Sequence, residues 1–527
     1  MDTIQERPPR KTRELLKKGK KGLLQFIFSR IGIVMLLLIL QVGGLLLLFF
    51  KFSKYFPHYY AFFGVLSLGM VLYILNTDSD PNFKIAWIVL ILLLPAAGTL
   101  LYLYIYSDIG HRALRARTNE ITRVSRDLLP KTGTEQKLKE AHSEDASLAN
   151  YLQTAAGCQV YEHCATKYLP LGEDFLASLL EDLEKAQSFI FLEYFIVEDG
   201  QMWDQIEGVL ARKAAQGVDV RVLYDGTCEF SRLPHSFPSY LKSLGIQCRI
   251  FAPIRPFVST HYNFRDHRKI TVIDGCVSYT GGLNLADEYA NYIHPFGHWK
   301  DTAVRIEGEA SRSFTLMFLQ MWQVEDRNLV FEPFLTAPFT PKEEAPGFVI
   351  PYGDCPLDEH FVGEMVYTHI LNTAQSYVHI MTPYLILGHE LESALKFAAL
   401  RGVEVSIIMP SVPDHIAAYA LAKTHYKSLV ENGVKLYEYQ PGFIHAKSFV
   451  SDDVRATVGT INLDYRSLRH HFECATYLCG TDSVRDVEED FQQTLAQCKP
   501  ISLYEATHIG FKWRLMGILM KVFAPLM

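Results

Sequence analysis

Two stretches of the chain carry the same pattern, RDHRKITVID at 265–274 and FIHAKSFVSDD at 443–453. Each enters an apolar, strand-like run through a histidine and a lysine two residues apart and closes on an aspartate. The residues are His267, Lys269 and Asp274 in the first copy and His445, Lys447 and Asp452 in the second, so His-x-Lys-x4-Asp occurs twice. Side chains at i and i+2 of a strand share a face, which aims an imidazole and an ammonium at one spot. Both copies then run into glycine and asparagine: GGLN, with Gly281, Gly282 and Asn284, and GTIN, with Gly459 and Asn462. A lone His-x-Lys is weak evidence; two at identical spacing inside duplicated surroundings are strong evidence.

The surroundings are duplicated too. AQSFIFLEYFIVEDG (186–200) reads as a strand, followed by an amphipathic helix, a stop at Gly217 and another strand up to Gly226. AQSYVHIMTPYLILG (374–388) opens the same sequence of elements, with its helix stopping at Gly402. Strand–helix–strand units of this length imply an α/β fold with parallel sheets covered by helices. Two such halves related by a pseudo-twofold axis would bring both motifs to one cleft.

The residue types suit a phosphoric ester. A neutral imidazole attacks phosphorus and forms a phospho-histidine, while a second, protonated one gives its proton to the leaving oxygen. Histidine fits both tasks because its ordinary pKa lies near neutrality. Lysines offset charge gathering on the phosphoryl oxygens, and the asparagines supply further donors, making Asn284 and Asn462 candidate substrate ligands. Asp274 and Asp452 lie beyond the lysines, where strand ends or turns are expected, and there they read as structural groups. Glu473, in RSLRHHFE (466–473), is a candidate for holding a catalytic histidine in one tautomer, with an ordinary surface glutamate as the competing reading. No metal and no cofactor is expected, since two ammonium groups disfavour a dication and no carboxylate cluster accompanies the histidines.

The doubled motif resembles the signature of the phospholipase D superfamily, and NFRDHRKITVIDG, GGLNLADEY, HWKDTAVRI, YEYQPGFIHAKSF and GTINLDYRSL are similar to its bacterial cardiolipin synthase branch. The resemblance covers nearly the whole chain from about residue 85. It implies two duplicated halves of mixed β-sheets flanked by helices, forming one catalytic unit. It also implies a catalytic set of His267, Lys269, Asp274, His445, Lys447 and Asp452, with the first motif as attacker. The implied reaction transfers a phosphatidyl group between two phosphatidylglycerols and releases glycerol. A phospholipase D-type hydrolase, or a transferase using another alcohol, is the alternative. The family tends to carry asparagine where this chain has His471.

The first hundred residues place this chemistry at a membrane. IGIVMLLLILQVGGLLLLFF (31–50) has no charge, and 59–75 and 85–106 are further candidate spans; about 20 apolar residues match a bilayer core. The run is too long for a signal peptide and no small-residue cleavage site follows. Basic residues cluster at 7–30 and again at Arg112, Arg115, Arg117, Arg123 and Arg126. Both should face the cytoplasm, which three full crossings cannot satisfy; a re-entrant segment, with Gly43-Gly44 as a break, is one solution. The expected organisation is a membrane region at 1–106, a linker at 107–150, halves at 151–345 and 346–507, and a C-terminal segment at 508–527. That last segment reads as an amphipathic helix in the membrane interface or as an ordinary domain helix. Nine cysteines without metal or redox spacing indicate a reduced, cytosol-facing domain. A net charge of −7 gives no support to nucleic-acid binding. The expected partners are phosphatidylglycerol and membrane phospholipids.

Overall fold

The computed structural model describes residues 39–40, 43–44, 56–78, 81–106, 109–253, 264–336, 339, 341–342 and 344–521. The basic stretch 7–30, most of the candidate span 31–50 and the last six residues lie outside the described residues. The chain divides into two compact units, one built mainly from 8–113 and the other from 114–254 and 263–520.

In the smaller unit, α1 (Phe56–Leu75), α2 (Pro81–Leu93) and α3 (Pro95–Tyr106) are apolar helices. The segment 85–106, expected as one span, is not one helix. Pro95 opens α3, and the chain turns back so that the Trp87 and Tyr102 rings meet edge-to-face at 5.2 Å. In a continuous helix those residues would stand about 22 Å apart. The bend is tight enough to require Gly98, where a Cβ would fall 2.7 Å from the Leu90 carbonyl oxygen. Among the described residues no helix is long and apolar enough to cross a membrane.

The larger unit holds two sheets of matching design. Strands β1 (Ala165–Leu169), β2 (Phe189–Tyr194), β3 (Asp219–Asp225), β4 (Gln247–Phe251), β5 (Arg265–Asp266), β6 (Lys269–Ile273), β7 (Val277–Gly281), β8 (His298–Lys300) and β9 (Ala303–Glu307) come from the first half. The second supplies β10 (Phe348–Asp354), β11 (Tyr377–Met381), β12 (Glu404–Pro410), β13 (Lys435–Tyr439), β14 (Gly442–Ile444), β15 (Ser448–Ser451), β16 (Arg455–Gly459), β17 (His471–Cys479) and β18 (Cys498–Pro500). One sheet runs β1-β9-β7-β6-β2-β3-β4 and the other β10-β17-β16-β15-β11-β12-β13-β18, so the first seven strands of the second match the first in order and β18 adds an edge. Both sheets are mixed, not parallel throughout. β2, β3 and β4 are parallel, as are β11, β12 and β13, while the motif strands β6 and β15 run antiparallel to β2 and β11. The strand–helix–strand signal reported only the parallel part, because β6 joins β7 and β15 joins β16 through short antiparallel turns that carry no helix.

Both motif strands are central and buried on both faces, as their unbroken apolar stretches require. Between the sheets, Ile270, Val272, Val304 and Ile306 from the first half share one core with Val450, Ala456, Val458, Phe472 and Leu478 from the second. The halves therefore form one folding unit around a common core.

The stretch 107–150 does more than connect. It contains α4 (Ile109–Ser125), α5 (Glu135–Ala141) and the start of α6 (Ser143–Ala156). Leu138, Leu148 and Leu152 are buried in the core of the second half. Beneath them Asp145, fully buried, accepts from Arg455 Nε at 2.7 Å and from the Tyr477 hydroxyl at 2.6 Å. Burial alone would raise its pKa, but His369, Arg455 and Tyr477 outweigh that and hold the carboxyl well below its ordinary range. A depressed carboxyl stabilises the fold above its unfolded pKa and loses that contribution as pH falls. Asp145→Ala is accordingly expected to lower stability at pH 7 by about 1 to 3 kcal/mol, because Arg455 Nε and the Tyr477 hydroxyl lose a buried acceptor while Glu144 still holds Arg455 Nη2 at 2.6 Å. Denaturant unfolding measured against pH should show this gap narrowing below about pH 4; a gap that stays constant into acid would mean the ion pair is not its source.

Candidate active site

His267 and Lys269 sit at the head of β6, and His445 and Lys447 at the head of β15, each pair locked by a strand that crosses to the other half. β5 pairs in parallel with β17, and the His267 backbone N–H donates to the Phe472 carbonyl at 2.9 Å. In the mirror arrangement β14 pairs with β8, and the His445 N–H donates to the Lys300 carbonyl at 2.6 Å. Each histidine is thereby delivered to a carboxylate of the opposite half. Nδ1 of His267 lies 2.9 and 3.0 Å from the two oxygens of Glu473, and Nδ1 of His445 lies 2.6 Å from Oδ2 of Asp301. Both carboxylates are fully buried.

A carboxylate at Nδ1 keeps the proton on that nitrogen and turns the Nε2 lone pair outward, as nucleophile or base. Further contacts hold the carboxylates themselves. Thr460, next to Gly459, donates its hydroxyl to Glu473, and the Thr302 backbone N–H reaches Asp301 Oδ1 at 2.8 Å. Gly282 makes room for Asp301, since a Cβ there would fall 2.0 Å from Oδ1. The glycine of GGLN is thus required by the approach of a carboxylate.

The expected orienting role of Glu473 matches its position. Asp301 was not singled out, although it occupies the corresponding place: KDTA at 300–303 aligns with FECA at 472–475 at the start of the corresponding strands β9 and β17. Aligning the halves beyond the asparagines would have found it.

Two of the expected catalytic residues belong elsewhere. Asp274 and Asp452 lie past the far ends of β6 and β15, with positive φ of 51° and 56°. Asp274 accepts from the backbone N–H groups of Gln187, Ser188 and Phe189, and Asp452 from those of Gln375, Ser376 and Tyr377. They cap the starts of β2 and β11. Nor is Asn284 a free ligand, since its Oδ1 accepts from Ile196 N–H and its Nδ2 donates to the Tyr289 hydroxyl. Asn462 is buried with its Oδ1 accepting no hydrogen bond, so the two asparagines are not equivalent.

The site is crowded with cations. Burial and then Lys269, Lys447 and His445 push the His267 pKa well below its ordinary value, so its imidazole is neutral. That charges of the second motif act on the first shows the two motifs converge. Burial and Lys447 bring His445 down to about 4, with Asp301 opposing. Burial lowers Lys269 to about 8 and Lys447 to about 7, each partly offset by the nearby carboxylates. Lys269 Nζ donates to the His267 carbonyl at 2.6 Å, and Lys447 Nζ lies 2.7 Å from His445 Nδ1.

Two groups of described residues have metal-ligand atoms within 4.8 Å of one another: His267, His471 and Glu473, and His142, Asp145 and Cys479. In each the carboxylate is already engaged, Glu473 by His267 and Thr460 and Asp145 by Arg455 and Tyr477. The first also faces the two motif lysines, a poor donor set for a dication.

The chain matches the family model described as cardiolipin synthase, PLD-like domain, over residues 179–322 and 367–495. A model described as phospholipase D-nuclease N-terminal covers 65–105. A Streptococcus mutans protein is 48% identical over 87% of this chain and 100% of its own length. A cardiolipin synthase of Geobacillus thermodenitrificans is 36% identical over 69% of this chain and 72% of that one. Among solved structures, Haemophilus influenzae phosphatidylserine synthase shares the fold, with a TM-score of 0.56 at 14% identity over 73% of this chain and 98% of that one.

The lowered lysines set a pH dependence. Because kcat/KM reports the free enzyme, it should fall as pH rises through about 7 to 8, where Lys447 and Lys269 lose their charge. Lys447→Arg, whose guanidinium does not titrate in that range, should move the alkaline limb upward even if activity is lower. An alkaline limb near the ordinary lysine pKa in the unmodified enzyme would contradict the assignment.

Proposed function

The chain belongs to the cardiolipin synthase family of phospholipase D-like enzymes, and we propose that it joins two phosphatidylglycerols into cardiolipin and glycerol through a phospho-histidine. The observation that carries this reading is the exchange of carboxylates between halves, which presents two oriented imidazoles and two ammonium groups at one buried place. In the first step Nε2 of His267 attacks phosphorus, the bond from phosphorus to the glycerol oxygen breaks, and His445 gives that oxygen its proton. In the second, the primary hydroxyl of another phosphatidylglycerol attacks phosphorus and the P–N bond breaks. His445 takes the hydroxyl proton, which restores both histidines. Asp301, at 2.6 Å from Nδ1, favours the imidazolium of His445, and the bound phosphodiester adds an anion that favours it further. His267, buried beside Lys269, Lys447, His445 and Arg466, stays neutral and nucleophilic.

Labelled phosphatidylglycerol supplied to purified enzyme should yield labelled cardiolipin, whereas phosphatidic acid as the main product would mean hydrolysis. Without His445 an activated phosphate ester, whose leaving group departs unprotonated, should still load His267. Acid-labile label is therefore expected on His445→Ala and absent from His267→Ala. The reverse pattern exchanges the roles, and label on neither argues against a covalent intermediate.

The membrane reading follows from the bend at Pro95. α2 and α3 have 13 and 12 residues, about 20 and 18 Å of helix, against a hydrocarbon core of about 30 Å. A hairpin of this kind enters and leaves a bilayer on one face. Its two ends then lie on the same side, and the basic residues Arg112, Arg115, Arg117, Arg123 and Arg126 place that side in the cytoplasm. At the other end α7 (Phe511–Lys521) rests Gly517 and Trp513 on helix Ile416–Glu431 and exposes Phe511, Leu515, Ile518 and Leu519. That apolar stripe supports a helix lying in the interface. Single cysteines placed at Asp78 and Arg115 in a cysteine-free background should both resist an impermeant thiol reagent on intact cells and react after permeabilisation. Labelling of one alone from outside would show that 81–106 crosses.

A further inference from the structure

His471 stands at the head of β17, two residues from Glu473, with its ring 5.2 Å from that of His267. It is 7% exposed, the same small fraction as His267 and His445. Its Nδ1 lies 3.7 Å from Glu473 Oε1, beyond hydrogen-bond reach, and neither ring nitrogen has a hydrogen-bond partner. Glu473 is occupied by His267 and Thr460, so it does not hold the proton on Nδ1 of His471. A buried imidazole with both nitrogens unsatisfied is expensive to keep, which calls for a partner that arrives with substrate.

The chemistry identifies that partner. In an in-line displacement the attacking and leaving groups occupy the two ends of the phosphorus, and the non-bridging oxygens project sideways. Donors must meet them there. Asn284 is engaged with Ile196 and Tyr289, and Lys269 and Lys447 each give one of their three N–H groups to a backbone carbonyl and keep the others for the phosphoryl oxygens. The His471 ring stands beside that of the nucleophile, the two planes inclined at 41°. Building on the transferase reading above, we propose that His471 is a third catalytic histidine, donating from Nε2–H to one non-bridging oxygen of the phosphodiester as charge gathers on it. Burial brings its pKa down to about 3, with Glu473 opposing, so in the free enzyme it is a neutral donor. It neither attacks phosphorus nor transfers a proton.

The test uses phosphatidylglycerol in which sulfur replaces one or the other non-bridging oxygen. Sulfur accepts hydrogen bonds poorly, so the oxygen that His471 contacts should show the larger slowing in the unmodified enzyme. His471→Ala should lower kcat by about 10²-fold, the usual effect of removing one transition-state donor. It should also erase the difference between the two diastereomers. His471→Asn, which keeps an N–H donor, should recover most of the rate and part of the discrimination, with thermal unfolding reporting whether each variant is folded. Unchanged kcat in His471→Ala, or a slower variant that discriminates as the unmodified enzyme does, overturns the proposal. If the unmodified enzyme transfers no phosphatidyl group at all, the reading on which it rests falls instead.

Discussion

Everything at the active site depends on a histidine–carboxylate hydrogen bond made twice across the pseudo-twofold axis. His267 of the first half is oriented by Glu473 of the second, and His445 of the second by Asp301 of the first. All four groups are buried, where such bonds are strong when made and costly when broken. Neither half is complete alone: separated, each would hold a histidine without its orienter and a buried carboxylate without its partner. The same strands that exchange the carboxylates, β5 against β17 and β14 against β8, fix the backbone of each motif. The shared core of the two sheets then keeps this geometry rigid.

The arrangement concentrates positive charge where water is scarce. Two lysines and three imidazoles gather around one spot, and burial shifts all of them toward their neutral forms. A phosphodiester entering a site of this composition adds a negative charge that opposes these shifts. The enzyme is therefore preorganised for an anion and indifferent to what hangs from it. Selection of a lipid must come from elsewhere, and the interfacial placement proposed above would meet that need by holding the site where phospholipid, not water, is the concentrated reactant. Stability sacrificed at the centre is recovered in the scaffold. Asp274 and Asp452 each gather three backbone N–H groups, and Asp145 ties the preceding helices under the second sheet.

What could be read in advance was local and repeated. The strand character of ITVI and SFVS, the shared face of His and Lys, and the recurrence of both pointed to the chemistry before any coordinates. Glu473 was visible as an acid beside histidines. Asp301 was not, because its role comes from a partner 144 residues away and nothing within its own neighbourhood announces it. The stretch 107–150 looked like a connector because its polar residues outnumber the apolar ones that bury it, Leu138 and Leu148 among them. Its one buried acid, Asp145, pairs with Arg455, 310 residues on. Likewise the run 85–106 has the composition of a span. The reversal at Pro95 depends on close packing at Gly98 that composition does not encode.

The sequence by itself determined which groups stand together, because imidazole and ammonium at alternate positions of a strand must share a face, and because duplication forces two such faces. Only the tertiary structure decided what orients them. A hydrogen bond between a histidine and a carboxylate in different halves is a property of how two sheets pack, and the same aspartate types that close each motif are drawn by local turn geometry into capping strands. Side-chain period is a local physical rule and can be read from order alone. Pairing across an interface depends on register and shape, and those exist only once the chain has folded.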